Sequence, residues 1–349
     1  VRYQEGGPGA LAPALRAHRK GLLDEAVEGY RRAVEQDPGC LDAWVNLGSL
    51  LASVGSASGA REAFAAARAG GDPRAQRDVA FGLLQIGDLD EARAAFEGSL
   101  AAGPLLIGAR LGLSRLCGEL GDREAQLLHA RRAVADAPGE SSAHLELHRA
   151  LFDDLDPEPS VEPAARAVAL DPGYALARYL LAGALLCAGR PEQGREALAS
   201  GLVEAGLVDA LWYAAARPSR ARCFATKRET LLYALSLAPA SGPVIELGVR
   251  HGVSTRLLAG ASGGPVHGFD SFRGLPLAWQ SRPAGAFSAA GELPRVPPCV
   301  RLHEGLFSET LPAFVRERPP APRLIHVDSD LYESAFEALS LLGPLVQTG

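Results

Sequence analysis

Methionine is absent from all 349 residues, position 1 included, so Val1 is either an initiator codon read literally or the start of an incomplete N-terminus. Cysteine is scarce. The five residues, at 40, 117, 187, 223 and 299, lie far apart and form no C-x-x-C pair. That usage favours reduced thiols in a cytoplasmic protein over disulfides. Long apolar runs are missing too: the longest, Tyr179 to Gly189, is flanked by arginines and falls short of the roughly 18 residues of a membrane span. Neither a transmembrane helix nor a signal peptide is expected. Clustered positive charge is the last absence. The net charge is −6, with 22 basic and 30 acidic residues over 1–219 and 13 and 11 over 220–349. Without a basic face there is nothing to neutralise phosphates, which argues against nucleic acid as the main partner.

What is present is the composition of an ordinary globular protein, 47% hydrophobic and 22% charged, in a chain long enough for about two domains. The first is written as a repeat. Asp37-Pro38, Asp72-Pro73, Gly103-Pro104, Ala137-Pro138 and Asp171-Pro172 recur at intervals of 35, 31, 34 and 34 residues. Gly21, Gly55, Gly87, Gly121 and Gly189 fall in turns between helix-like segments. A period near 34 with helix, turn, helix and proline stop is the tetratricopeptide pattern. The second repeat carries it best, with Trp44, Leu47 and Gly48 on one helix, Ala60, Phe64 and Ala67 on the next, and Pro73 after them. Small residues let the paired helices approach while Trp44 and Phe64 fill the space between neighbours. The fifth turn is loosened by Asp153 to Pro159, and the sixth repeat fades near Gly206. Such arrays have a concave groove, so a protein or peptide partner, or self-association, is expected there. Groove positions such as Asp42, Val45 and Ser49 do not identify the ligand. His144 and His148 stand four apart, a spacing that can hold a metal, but with no acid or thiol at a fitting distance they are expected to be structural.

The domains are expected at 1–206 (repeat array), 207–240 (helical connector, broken at Arg217-Pro218-Ser219-Arg220) and 241–349 (α/β). In the last part the pattern predicts strands 244–248, 266–270, 300–304 and 323–328, with helices 253–261, 308–317 and 332–342. Alternation of this kind argues a doubly wound, Rossmann-like parallel sheet whose ligands bind at the carboxyl ends of the strands. The first strand runs into Glu246-Leu247-Gly248-Val249-Arg250-His251-Gly252-Val253-Ser254, a turn whose glycines let a ligand approach the backbone ahead of a helix N-terminus. The second ends in Asp270-Ser271, twenty-four residues after Glu246, where ribose hydroxyls are bound in such folds. Glu304-Gly305 and Asp328-Ser329-Asp330 end the other two. Five carboxylates on one sheet edge repel each other unless a ligand intervenes, although Asp330 also suits a helix N-cap. Between Ser271 and Cys299 runs a proline-rich stretch, either a substrate-side lid with Trp279 and Phe287 as apolar contacts or a surface excursion. His251 and His326 are candidate bases by type, with His326 expected to pack inside its strand.

Four blocks in order, Val-Ile-Glu-Leu-Gly-Val-x-x-Gly-x-Ser, Gly-Phe-Asp-Ser-Phe-x-Gly-Leu-Pro, Glu-Gly-x-Phe-x-Glu-Thr-Leu-Pro and His-x-Asp-x-Asp-Leu-Tyr-Glu-Ser, resemble the macrocin O-methyltransferase family of class I S-adenosylmethionine-dependent enzymes. The resemblance implies methyl transfer from S-adenosylmethionine to a hydroxyl of a sugar or other natural product, assisted by a divalent metal such as Mg²⁺. It places Glu246, Gly248 and Gly252 around the methionine end, Asp270 at the ribose, and Glu304 and Gly305 beside the adenine, with Ser254 and Ser271 also among the cofactor-binding residues. Asp328 becomes the catalytic residue and a metal ligand, with Asp330 as its companion. The family pattern continues past the fourth helix to a strand ending in paired acids. This sequence stops at Gln347-Thr348-Gly349, so as given it is expected to bind cofactor without turning over substrate. Two other functions share some of these features. A non-catalytic repeat scaffold would keep a degenerate nucleotide site. A nicotinamide-dependent oxidoreductase would use the same glycine turn, but it leaves Asp328-x-Asp330 without a role and lacks a third glycine.

Overall fold

The computed structural model of the chain describes Gly9 and residues 11–103, 106–216, 222–280 and 282–346. Pro104, the break at 217–220 and the terminal 347–349 lie outside the described residues. The helical part is built in pairs: α1 (Leu11–Arg19) with α2 (Leu23–Gln36), α3 (Leu41–Ser53) with α4 (Ala57–Ala69), and α5 (Pro73–Gln85) with α6 (Leu89–Ala102). They continue as α7 (Ile107–Leu120) with α8 (Arg123–Asp136), α9 (Ser141–Leu151) with α10 (Glu158–Leu170), and α11 (Ala175–Cys187) with α12 (Pro191–Leu198). Helices α13 (Ala205–Ala215) and α14 (Lys227–Leu237) follow. This is the expected solenoid.

Its packing follows from residue size. Phe64 of α4 is buried between two glycines: a Cβ on Gly48 of α3 would stand 2.5 Å from its ring, and one on Gly82 of α5 only 2.1 Å. The ring therefore keys three helices of consecutive repeats. Trp44 is only half-buried, and its indole N–H donates to the Pro38 carbonyl at 2.9 Å. The same contact recurs in later repeats, where Arg178 Nε donates to the Pro172 carbonyl at 2.8 Å and His144 Nε2 lies 2.9 Å from the Pro138 carbonyl. His148 Nδ1 meets the Ser160 carbonyl at 2.9 Å. Both histidines are buried and spend a ring nitrogen on backbone, the structural role expected of them.

The α/β part holds β1 (Val244–Leu247), α15 (Val253–Ser262), β2 (Val266–Asp270), β3 (Val300–Glu304), α16 (Phe307–Arg316), β4 (Leu324–Val327) and α17 (Tyr332–Leu342). The strands pair in parallel in the order β3-β2-β1-β4, with Val244 opposite Val266 and Leu324. β1 is the inner strand at which the chain reverses direction across the sheet, so its carboxyl end is the topological switch point. Alternation splits the core. Val244 and Val266 pack with Leu231, Leu235 and Leu258 on the α14/α15 face. Ile245, Leu247 and Phe269 pack with Leu311, Phe314, Ala338 and Leu342 on the α16/α17 face.

By contact density the chain forms two compact units, residues 96–230 and residues 1–95 together with 231–349. The first repeats thus share a unit with the α/β sheet. In the other unit, Asp154 holds Arg222 at 2.8 Å, and Arg115 and Arg149 neutralise the buried Glu146. Among the described residues no helix is long and apolar enough to cross a membrane.

Candidate active site

A cavity of about 300 Å³ opens at the carboxyl ends of the strands, the place that parallel α/β sheets reserve for ligands. Its floor is the β1 turn, Gly248, Val249 and Arg250. Gly248 has φ +93°, and a Cβ there would lie 2.3 Å from the Asp328 carbonyl, so only glycine lets the turn lie against the end of β4. Asp270 and Ser271 come from β2, Gly305 from the end of β3, and Asp328, Ser329 and Asp330 from the end of β4. The long stretch after β2 contributes Gly274, Leu275, Pro276 and Phe287, and the start of α16 contributes Leu306 and Phe307.

Of the residues expected at the site, Gly248, Asp270, Ser271, Gly305, Asp328 and Asp330 meet on this wall, while Glu246, Gly252, Ser254 and Glu304 lie off it. Glu246 is fully buried on the α15 face. Its carboxylate accepts a short hydrogen bond from Thr255 Oγ1 and faces His326 Nδ1 at 3.0 Å. Both oxygens are thereby engaged within the sheet. His326 packs as expected and is no base for the cavity. Gly252, φ +70°, caps α15, and Ser254 sits in the helix's first turn. Glu304 is exposed, 3.8 Å from Arg273. Of the expected row of five acids, Asp270, Asp328 and Asp330 remain on the wall, while Glu246 is taken out by burial and Glu304 by its exposed place beside Arg273.

Asp270 has a second task that the sequence hid. Its Oδ2 accepts the N–H groups of Val249 and Arg250, each at 2.7 Å, and its Oδ1 accepts that of Phe272 at 2.7 Å. Three of a carboxylate's roughly four acceptor positions thus hold the β1 and β2 turns, leaving about one for a ligand hydroxyl. Asp330 does not cap α17, whose N-cap is Leu331 without a side-chain bond. Instead it faces the cavity. Burial first, and then the charge of Asp328, raise its pKa, against Arg250 and Arg282. Burial lowers the pKa of Arg250, with Asp270 and Asp330 opposing. Arg250 Nε and Ser329 Oγ are buried without a hydrogen-bond partner, two unspent groups on the cavity wall.

Arg250 was not foreseen as a wall residue; its place inside the glycine turn was the available signal. It stacks 5.6 Å from Phe287, and Arg282 lies 5.2 Å from the same ring. Phe287 thus joins the wall as expected. Trp279 does not, being paired with Arg282 through the backbone. His251 is also off the wall, pulled down to about 4 by burial and by the charges of Arg250 and Arg61. Among the described residues no three His, Cys, Asp or Glu side chains converge, and Asp328 with Asp330 make only a pair.

Residues 245–349, which contain nearly all of the parallel α/β sheet, match the family described as "Methyltransferase domain". The match covers every residue of the cavity wall and stops short of the helical repeats. Among solved structures, the chain is similar to PilW, a widely conserved type IV pilus biogenesis factor, at 16% identity over 58% of this chain and 96% of that one, with TM-score 0.49. It is similar to PilF of Pseudomonas aeruginosa at 14% over 54% and 86%, TM-score 0.46. YrrB, a TPR protein with an unusual peptide-binding site, gives 21% over 50% and 90%, TM-score 0.39. No curated protein matches the chain.

Proposed function

We propose that this chain is an S-adenosylmethionine-dependent O-methyltransferase acting on the hydroxyl of a small molecule, a sugar or related natural product, joined to a repeat array that binds a protein partner. The observation that carries it is the coincidence of the methyltransferase-family match with a cavity at the switch point of a parallel sheet. The β1 turn would cradle the methionine end through Gly248, with the unspent Arg250 Nε–H available to its carboxylate. The remaining acceptor position of Asp270 would take one ribose hydroxyl, with Ser271 beside it. Gly305, φ +140°, would leave room for the adenine.

Methyl transfer is an in-line displacement: the acceptor oxygen attacks the sulfonium methyl, a C–O bond forms, the C–S bond breaks, and S-adenosylhomocysteine leaves neutral. The hydroxyl proton must go to a base, and Asp328, with Asp330 beside it on the same wall, is the residue this reading proposes for that role. The enzyme's main contribution is then orientation within a cavity lined by Val249, Leu275 and Leu306. Asp328 and Asp330 are the side chains that would hold a Mg²⁺, an ion commonly bound by one or two carboxylates with water completing its shell, and no step is routed through it. Calorimetry tests the proposal. Binding of S-adenosylhomocysteine with no response to NAD supports it, and binding of NAD alone overturns it.

A further inference from the structure

Two turns of the repeat array end on the segments that form the cavity. The α3–α4 turn meets the long β2–β3 connection: a Cβ on Gly55, φ +91°, would stand 2.4 Å from the Ser288 carbonyl and 2.8 Å from the Ala290 nitrogen. Beside it, the N-cap of α4 is Ser56, whose own side chain makes no capping bond. The cap comes from 234 residues away. Glu292 accepts the Ser58 N–H at 2.9 Å, the Ser58 hydroxyl at 2.8 Å and the Ser56 hydroxyl at 3.4 Å. A carboxylate on the first-turn N–H of a helix is favoured both as a charge-assisted bond and by the helix dipole.

The α5–α6 turn meets the β1–α15 turn. Arg256 donates from Nη2 to the Gly87 carbonyl at 2.8 Å, and from Nη1 to the His251 carbonyl at 2.9 Å and the Arg295 carbonyl at 3.3 Å. One guanidinium therefore ties a repeat turn, the cofactor-side turn and the long loop together. Gly87, φ +75°, comes so close that a Cβ would lie 2.9 Å from Val253 and 3.1 Å from the His251 Cβ. On the array side, Arg61 grips Asp88 with two bonds of 2.6 and 3.0 Å, which steadies the same turn.

The segments held in this way continue directly into the cavity wall, since His251 follows Arg250 and Ser288 follows Phe287. Both wall residues have backbones that L-amino acids rarely adopt, φ 50° at Arg250 and φ 63° at Phe287, with Ala290 at 52° just beyond. Such conformations persist only where neighbours over-determine them. A free surface turn would have no reason to keep them.

We propose that the second and third repeats are a built-in part of the catalytic unit, with Arg256 and Glu292 as positioning residues through which the Gly55 and Gly87 turns hold two walls of the cavity in place. The array then does more than recruit a partner, because whatever strains these turns changes the pocket. The affinity arm of the test rests on the cofactor proposed above, whereas the exchange arm does not.

The test is the full chain carrying Arg256→Ala with Glu292→Ala, neither of which lines the cavity. Amides of 249–256 and 287–292 should exchange with deuterium about tenfold faster than in the parent, with those of β1 and β2 unchanged. Affinity for S-adenosylhomocysteine should fall by about tenfold. Arg256→Lys alone, which keeps one cationic donor for the Gly87 carbonyl, should hold affinity within about threefold. Unchanged local exchange in the folded double variant overturns the proposal. Should the double variant not fold, Glu292→Gln replaces it, with about threefold faster exchange at 287–292 supporting the proposal and none overturning it. A parent that ignores S-adenosylhomocysteine refutes the cofactor and leaves the decision to the exchange arm.

Discussion

Asp270→Ala removes the acceptor of three backbone N–H groups at once, those of Val249, Arg250 and Phe272, each at 2.7 Å. A hydrogen bond to a charged acceptor contributes about 1.5–3 kcal/mol, so three independent ones would exceed about 4 kcal/mol. The site is only part-buried, and water can replace some of the lost bonds. The local cost should therefore be about 2–4 kcal/mol, which is roughly 30- to 700-fold faster exchange of those three amides. The same substitution removes the proposed ribose contact, so affinity for S-adenosylhomocysteine should fall by a further about 1–3 kcal/mol. Asn separates the two effects, since its carbonyl oxygen can keep the Val249 and Arg250 bonds while its NH₂ cannot accept from Phe272. Asp270→Asn should thus disturb Phe272 chiefly. Exchange at all three amides within about threefold of the parent in Asp270→Ala would refute the clamp, and unchanged affinity in the folded variant would remove Asp270 from the ribose.

Gly82→Ala should destabilise the array by about 1–3 kcal/mol, because its Cβ would enter the Phe64 ring; an unchanged unfolding transition would contradict that packing. Gly248→Ala forces a side chain at φ +93° into the Asp328 carbonyl and should abolish measurable cofactor binding in a chain whose repeats remain folded; retained affinity would show that the turn has room. The third concerns pH. His303 faces His267 at 3.0 Å, and burial, then the charges of His267 and Arg301, hold it down to about 4. A histidine with a depressed native pKa binds fewer protons folded than unfolded, so stability is lost as pH falls from about 6.5 toward 4. His303→Phe should shrink the difference in denaturation midpoint between pH 7 and pH 5, and an identical difference would contradict this.

Much of the architecture was legible because it is periodic. The 34-residue punctuation and the alternating apolar runs located α3 through α12 and all four strands, with the first and fourth a residue or two shorter than expected. The glycine turn and the acid after β2 led to the cavity for the same reason, that a ligand at a switch point needs small residues and a terminal acid. The fates of individual acids were not legible. Glu246 shares its sheet face with Val244, and whether it meets a ligand depends on Thr255 and His326, nine and eighty residues away. The union of the early repeats with the sheet was hidden more deeply. Glu292 and Ser58 are 234 residues apart, and nothing in either local pattern announces the other.

The most direct test of the central claim is a hydrogen-exchange footprint of the chain with and without S-adenosylhomocysteine. Slower exchange at 248–250, 270–274 and 305–307, with the repeats beyond residue 96 unaffected, is the result this account predicts. Protection of those segments by NAD alone, or binding of S-adenosylhomocysteine that protects none of them, would contradict it.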